Sequence, residues 1–181
     1  TTIPYMASPF AQYKLNDNLA STAVLDETVG YNDGVATHNT STMTTIGKIN
    51  SALTFNGTNQ YVDMSSLFTD IRTDSVGTFS LWVKPVNSYP ILEFTGSGGY
   101  FSIEWYKNNQ SATFAISGGG TPISCTTAAG SLPANTYSHL VITQDGSQFK
   151  IYINGVLQTG LTYWLNSNPG KWLSFLTGSI T

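Results

Sequence analysis

The stretch Ser138 to Gln158, SHLVITQDGSQFKIYINGVLQ, restricts the chain more than any other segment. Apolar and polar residues alternate on both sides of Asp145-Gly146, and a second turn dipeptide stands at Asn154-Gly155. Alternation of period two sends successive side chains to opposite faces of a strand, and Asp-Gly and Asn-Gly supply the positive-φ positions of tight hairpins. Two such turns so close together predict an antiparallel meander. The same alternation elsewhere puts Phe79, Leu81 and Val83 on one side of their strand. It does the same for Phe101, Ile103 and Trp105, for Phe114 and Ile116, and for Phe149, Ile151 and Ile153. These residues are expected to form a dry layer between two sheets.

Strands are predicted over 10–16, 34–37, 51–56, 60–64, 78–85, 90–95, 100–106, 112–117, 138–144, 148–154 and 171–177, each bounded by Gly, Asn, Asp, Pro or Ser clusters. So many strands require two packed sheets, and no repeat or linker divides the chain, so residues 1–181 are read as a single domain. The segment 64–75 places Met64, Leu67, Phe68 and Ile71 at helical spacing, which fits either a short helical turn or a loop with apolar anchors. The segment 16–29 carries the same two readings.

At 181 residues the chain is long enough to bury about 70 % of its unfolded surface without crosslinks. Only 9 % of residues are charged and the net charge is −3, which disfavours nucleic acid and anionic membrane surfaces as partners. Polarity comes instead from uncharged Ser, Thr and Asn, residues suited to the exposed faces of sheets and to turns. No apolar run approaches the ~20 residues that span a bilayer, so membrane insertion is not expected. The single cysteine, Cys125, has no partner for an internal bridge and reads as a small buried apolar residue. Sequons begin at Asn39, Asn56 and Asn109, about as many as so Asn-, Ser- and Thr-rich a chain produces by chance.

Four blocks in order carry a family resemblance. Gln12-Tyr13-Lys14-Leu15-Asn16-Asp17, with Asp26-Glu27 and Asn32-Asp33-Gly34, resembles an opening strand and a glycine-bearing loop. Gly47 to Val62 resembles a "GKxxxALxFxGxxxYV" stretch, Phe79 to Pro85 a "FSxWVKP" strand, and the Ser138–Gln158 meander the central signature. Together they resemble laminin-G-like domains of the concanavalin A-like lectin/glucanase superfamily. The resemblance implies an all-β, two-sheet antiparallel jelly-roll sandwich. It also implies an edge calcium, for which Asp26, Asn32 and Asp33 are the candidate ligands in this chain; a metal-free turn uses the same Asp/Asn-Gly chemistry. The family's last strand typically ends in a pattern like "GxIDEV", whereas this sequence ends Gly178-Ser179-Ile180-Thr181. The expectation is that the closing strand is lacking, replaced or supplied by another molecule, leaving an edge open to a strand-donating neighbour or to a second copy of the chain.

Catalytic signatures are sparse, and no enzyme activity is expected. Glycosidases of related folds place two carboxylates about 5–9 Å apart. Here the pair that could meet across a hairpin is Glu93 and Glu104, which read as outward carboxylates near a hairpin in preference to a catalytic pair. His38 and His139 lie in no nucleophile or metal signature and read as structural, and Cys/His pairs at zinc spacing are absent. The glycine runs Gly96 to Gly99 and Gly118 to Gly120 lack the Lys-Ser/Thr and helix of a phosphate loop and read as turns.

Residues opposite the dry layer include Trp82, Lys84, Tyr100, Glu104, Tyr106, Lys150, Tyr152 and Asn154. Aromatic faces stack on the C–H faces of sugar rings and the polar groups bond hydroxyls. The candidate ligand-binding set is Trp82, Tyr100, Glu104, Tyr106 and Tyr152, with Trp164 as a contact from an irregular loop. In resembling domains the tryptophan at the position of Trp82 is often packed within the fold. The expected function is a non-catalytic module that binds a glycan or a surface protein outside a cell or on a virion. The alternatives are a structural virion component packing through its sheet edge and, third, a glycosidase or lyase.

Overall fold

The computed structural model describes residues 8–88, 90–96, 99–117, 123–146 and 148–164, with the side chains of 123 and 162–164 excepted. Among the described residues strands dominate, all their pairings are antiparallel, and the one α-helix is short. The chain divides after Leu67 into two compact units.

The first unit contains strands β1 (Ala23–Val24), β2 (Gly34–Ala36), β3 (Thr44–Ile46), β4 (Ser51–Leu53) and β5 (Val62–Asp63). β1, β2 and β5 form one small sheet, and β3 pairs with β4 in a hairpin. That hairpin needs Gly47, because a Cβ there would come within 2.7 Å of the Ser51 carbonyl oxygen. Val24, Ala36, Met43 and Leu53 make the buried core, with Tyr13, Leu15 and Val62 packed against it. The strand predicted over 10–16 is reduced to one bridge, Tyr13 to Asp26. Leu15 takes φ 54°, a left-handed conformation that no ladder accommodates.

The second unit opens with the end of helix α1 (Ser65–Ile71), so the helical reading of 64–75 holds for those residues. It contains β6 (Val76–Val83), β7 (Pro90–Gly96), β8 (Gly99–Tyr106), β9 (Ser111–Ser117), β10 (Ile123–Thr126), β11 (Ser138–Asp145), β12 (Phe149–Ile153), β13 (Val156–Leu157) and β14 (Thr162–Trp164). One sheet runs β14-β10-β9-β8-β7 and the other β13-β12-β11-β6. The predicted meander is present: Leu140 pairs with Ile153 and Gln144 with Phe149, while β13 turns back onto β12. Asn154 and Gly155 make that second turn with φ of 51° and 80°, the conformation that selects Asn-Gly. Strands β1, β3, β10, β13 and β14 lie outside the predicted list, being short or rich in Ser and Thr with too few apolar positions to show a period. The predicted strand 171–177 lies outside the described residues.

Aromatic rings join the two sheets. Phe79 of β6 meets Phe101 of β8 with centroids 5.2 Å apart, and Phe149 of β12 meets Phe114 of β9 at 4.5 Å. Phe68 of the helix stacks on Phe94 of β7 and also contacts Phe79 and Phe101. Phe101, Ile103, Trp105, Phe114, Ile116, Ile142 and Ile151 are at most 1 % exposed, as the alternation requires. Trp105 keeps its ring buried by donating its indole N–H to the Leu132 carbonyl at 2.9 Å.

Gln144 departs from this pattern. It is 2 % exposed on the buried face of β11, and neither its amide N–H nor its carbonyl has a hydrogen-bond partner among the described residues. A buried unpaired polar group costs about 1–3 kcal/mol, so Gln144→Met, which keeps the shape and removes both groups, should stabilise the fold by about that amount. Thermal or urea unfolding of the two proteins measures the gain; a less stable variant would mean that the amide has a partner.

Candidate functional site

Because Phe101, Ile103 and Trp105 point inward, the intervening residues of β8 must point outward. Tyr100, Ser102, Glu104 and Tyr106 therefore line one face of the five-stranded sheet. Glu104 organises them: the Ser102 hydroxyl donates to its Oε1 at 2.9 Å and the Tyr106 hydroxyl to its Oε2 at 2.6 Å. Across the ladder, Glu93 of β7 lies opposite Ser102, which makes it diagonal to both Tyr100 and Glu104. In an antiparallel pair that separation is about 7–8 Å. On the other side Thr113 and Ala115 of β9 pair with Glu104 and Ser102, and Thr126 and Ser124 of β10 pair with those. Ser102 is 0 % exposed and Thr113 and Ala115 are 6 % exposed, so of these residues the face offers Glu93 and Tyr106 to solvent, with Tyr100 and Glu104 half-buried beside them.

The two phenols report the local field. The Glu104 hydrogen bond pushes the Tyr106 phenol up to about 12, with desolvation and the Glu104 charge acting the same way. Desolvation raises Tyr100, reinforced by the charges of Glu104 and Glu93. Both phenols are therefore neutral hydrogen-bonding groups at physiological pH. Tyr106 is 45 % exposed. Glu104 accepts at both oxygens, the arrangement of a fixed acceptor, whereas a general acid must carry a proton to deliver.

The structure separates the residues expected to share a surface. Trp82 and Tyr152 belong to the four-stranded sheet and face away from its buried side, so they lie on the opposite side of the second unit from Tyr100, Glu104 and Tyr106. Alternation within each strand places a residue opposite the core, and only the strand order tells which of two sheets carries it. Trp82 is 44 % exposed and stacks on its cross-strand partner His139 at 5.1 Å, with the His139 Nε2 2.8 Å from the Ser80 hydroxyl. The packed-in tryptophan of resembling domains is not what this chain shows. Lys84 stands over the Tyr137 ring, Lys150 pairs with Asp145 at 3.8 Å, and the Asn154 side chain accepts from the His139 N–H. Trp164 pairs across the ladder with Ser124 at the end of β14, but its side chain lies outside the described residues. Ser102, Thr113 and Glu93 were not among the expected ligand residues; the Glu93–Glu104 hairpin was the one signal pointing to them.

Asp26, Asn32 and Asp33 do come together in the first unit, but as a hydrogen-bonded loop. Asp26 Oδ1 accepts the N–H groups of Gln12 and Thr28, and Oδ2 accepts the Thr28 hydroxyl and the Asn32 N–H. Asp33 Oδ1 accepts the Asp26 N–H, and the Asn32 carbonyl accepts the Tyr13 hydroxyl. The four acceptor positions of the Asp26 carboxylate are thus filled by the chain itself, and the donor set does not fit calcium as it stands. No group of three or more His, Cys, Asp or Glu side chains able to hold a metal occurs among the described residues. Burial raises the Asp26 pKa, but the four hydrogen bonds together outweigh it and hold the carboxyl below its usual value of 3.8. Desolvation, then the charges of Asp26 and Asp33, lift Tyr13 to about 12.

Cys125 is a buried free thiol, pushed up to about 12 by desolvation, which leaves no thiolate for nucleophilic work.

Asp26→Asn replaces an acceptor with an amide N–H facing other donors and should cost about 1–3 kcal/mol, measurable by chemical unfolding. Since the folded carboxyl titrates below its unfolded value, its contribution is complete above pH ~4 and is lost as pH falls through the depressed folded value. An acid titration of the wild type should show that loss, and the asparagine variant should lack it. A chelator should leave the melting temperature unchanged; an increase on adding calcium would show that the ion displaces these donors.

Comparison with known proteins gives two findings. The family model described as the concanavalin A-like lectin/glucanases superfamily, of laminin-G type, matches residues 56–179. Among solved structures, the chain resembles domain 4 of AbnA, a GH43 extracellular arabinanase from Geobacillus stearothermophilus, in complex with arabinotriose. The likeness has a TM-score of 0.53 at 20 % identity and covers 94 % of this chain and 88 % of that one. No curated protein matches.

Proposed function

Because the chain belongs to the concanavalin A-like lectin/glucanase superfamily, we propose that it is a non-catalytic carbohydrate-binding module whose ligand lies on the outward face of the five-stranded sheet. The observation that carries this reading is the grouping of Tyr100, Ser102, Glu104 and Tyr106 on one strand face, with Glu93 across the ladder. A sugar ring presents apolar C–H faces and a rim of hydroxyls. The half-exposed Tyr106 ring supplies a stacking surface and the carboxylates accept from hydroxyls. Side chains already bonded to one another lose little freedom when a ligand arrives. The domain with a similar fold in the arabinanase was solved with arabinotriose, so an oligosaccharide is a ligand class to try first. A module of this kind works outside a cell, on a cell surface or a virion, where its low charge density and Ser/Thr-rich surface are suitable.

Titration calorimetry or affinity electrophoresis against a panel of soluble oligosaccharides tests the reading. At least one should bind, and Tyr106→Ala should weaken it by about five- to tenfold, since loss of an aromatic stacking contact is worth roughly 1–1.5 kcal/mol. Trp82→Ala, on the opposite face, should leave affinity within about twofold if its fold is intact, because a residue outside the contact adds no binding energy. The reverse pattern would move the site to the four-stranded sheet.

A further inference from the structure

The five strands carrying the proposed site hold no Lys, Arg or His among the described residues, while both of their acidic side chains, Glu93 and Glu104, fall on the outward face. The described lysines and arginine of the second unit stand elsewhere. Lys84 and Lys150 accompany the four-stranded sheet, Arg72 follows the helix, and Lys107 begins the turn after β8. A face whose charged side chains, among the described residues, are all carboxylates has direct chemical consequences. Ionised carboxylates bind ligands that donate, such as hydroxyls or ammonium groups, and repel those that bring further carboxylate or sulfate. The Tyr100 phenol, raised first by desolvation and then by the charges of Glu104 and Glu93, lies in the same acidic surroundings.

We infer that the outward face of the five-stranded sheet selects neutral or amino-bearing sugars and rejects uronate- and sulfate-bearing ones, through Glu93 and Glu104 acting without a basic counterpart among the described residues of its five strands. The inference rests on the carbohydrate-binding reading above and specifies its ligand class.

The test is a glycan array, probed with the whole chain, on which each neutral oligosaccharide is printed beside its carboxylated, sulfated and amino counterparts. Neutral or amino members should give the signal, with the carboxylated counterpart bound roughly tenfold more weakly at low ionic strength, as two like charges several ångströms away require. The deficit should shrink as salt is raised and shrink again in Glu93→Gln, whereas a merely steric mismatch would respond to neither. Because the comparison of counterparts is made on the native protein, it decides the matter even if the variant fails to fold. Equal binding of neutral and anionic counterparts, or preference for the anionic one, would overturn the charge selection while leaving carbohydrate binding in place. Absence of signal from every glycan would overturn both.

Discussion

Contact between the aromatic faces of the two sheets in the second unit is the constraint on which everything else there depends. Phe79 against Phe101 and Phe114 against Phe149 fix one sheet over the other, and Phe68 brings the helix into the same cluster. With one side chain in two committed to that layer, the remainder are forced outward. The outward position of Tyr100, Ser102, Glu104 and Tyr106 is therefore a by-product of burying Phe101, Ile103 and Trp105. Truncating one of these buried rings would disturb the bed of the site as well as the core, because a strand cannot shift by one residue without exchanging its two faces.

The alternation that builds the layer is a local property, and it was readable in the chain: the meander and the inward residues of β6, β8, β9 and β12 follow from period two. Strand order is a long-range property and was not readable in the same way. Trp82 and Tyr106 satisfy the same local rule, yet one sits on the four-stranded sheet and the other on the five-stranded sheet. Two of the two-residue strands were missed for another reason. Ala23–Val24 and Val156–Leu157 are too short to display any period, and their existence is decided by the neighbours they pair with.

The loop around Asp26 shows how one acidic pattern can be used in two ways. Asp and Asn near a glycine turn suit a cation, but they equally suit backbone N–H groups that point inward and need acceptors. Gln12, Thr28 and Asn32 provide those donors, and Tyr13 ties the loop from the other side by donating to the Asn32 carbonyl. Sequence alone reveals the carboxylates and says nothing of which donors converge on them, so the choice became visible only with the chain folded.

The sealed thiol of Cys125 bears on where such a module can operate. Disulfide exchange and attack by peroxides both begin from the ionised sulfur, and this one is held in its protonated form beneath the sheet. A chain with one cysteine risks crosslinking to its own copies once it reaches aerobic surroundings. Here that hazard is removed by burial, so the protein can remain a reduced, unlinked molecule without help from a reducing environment.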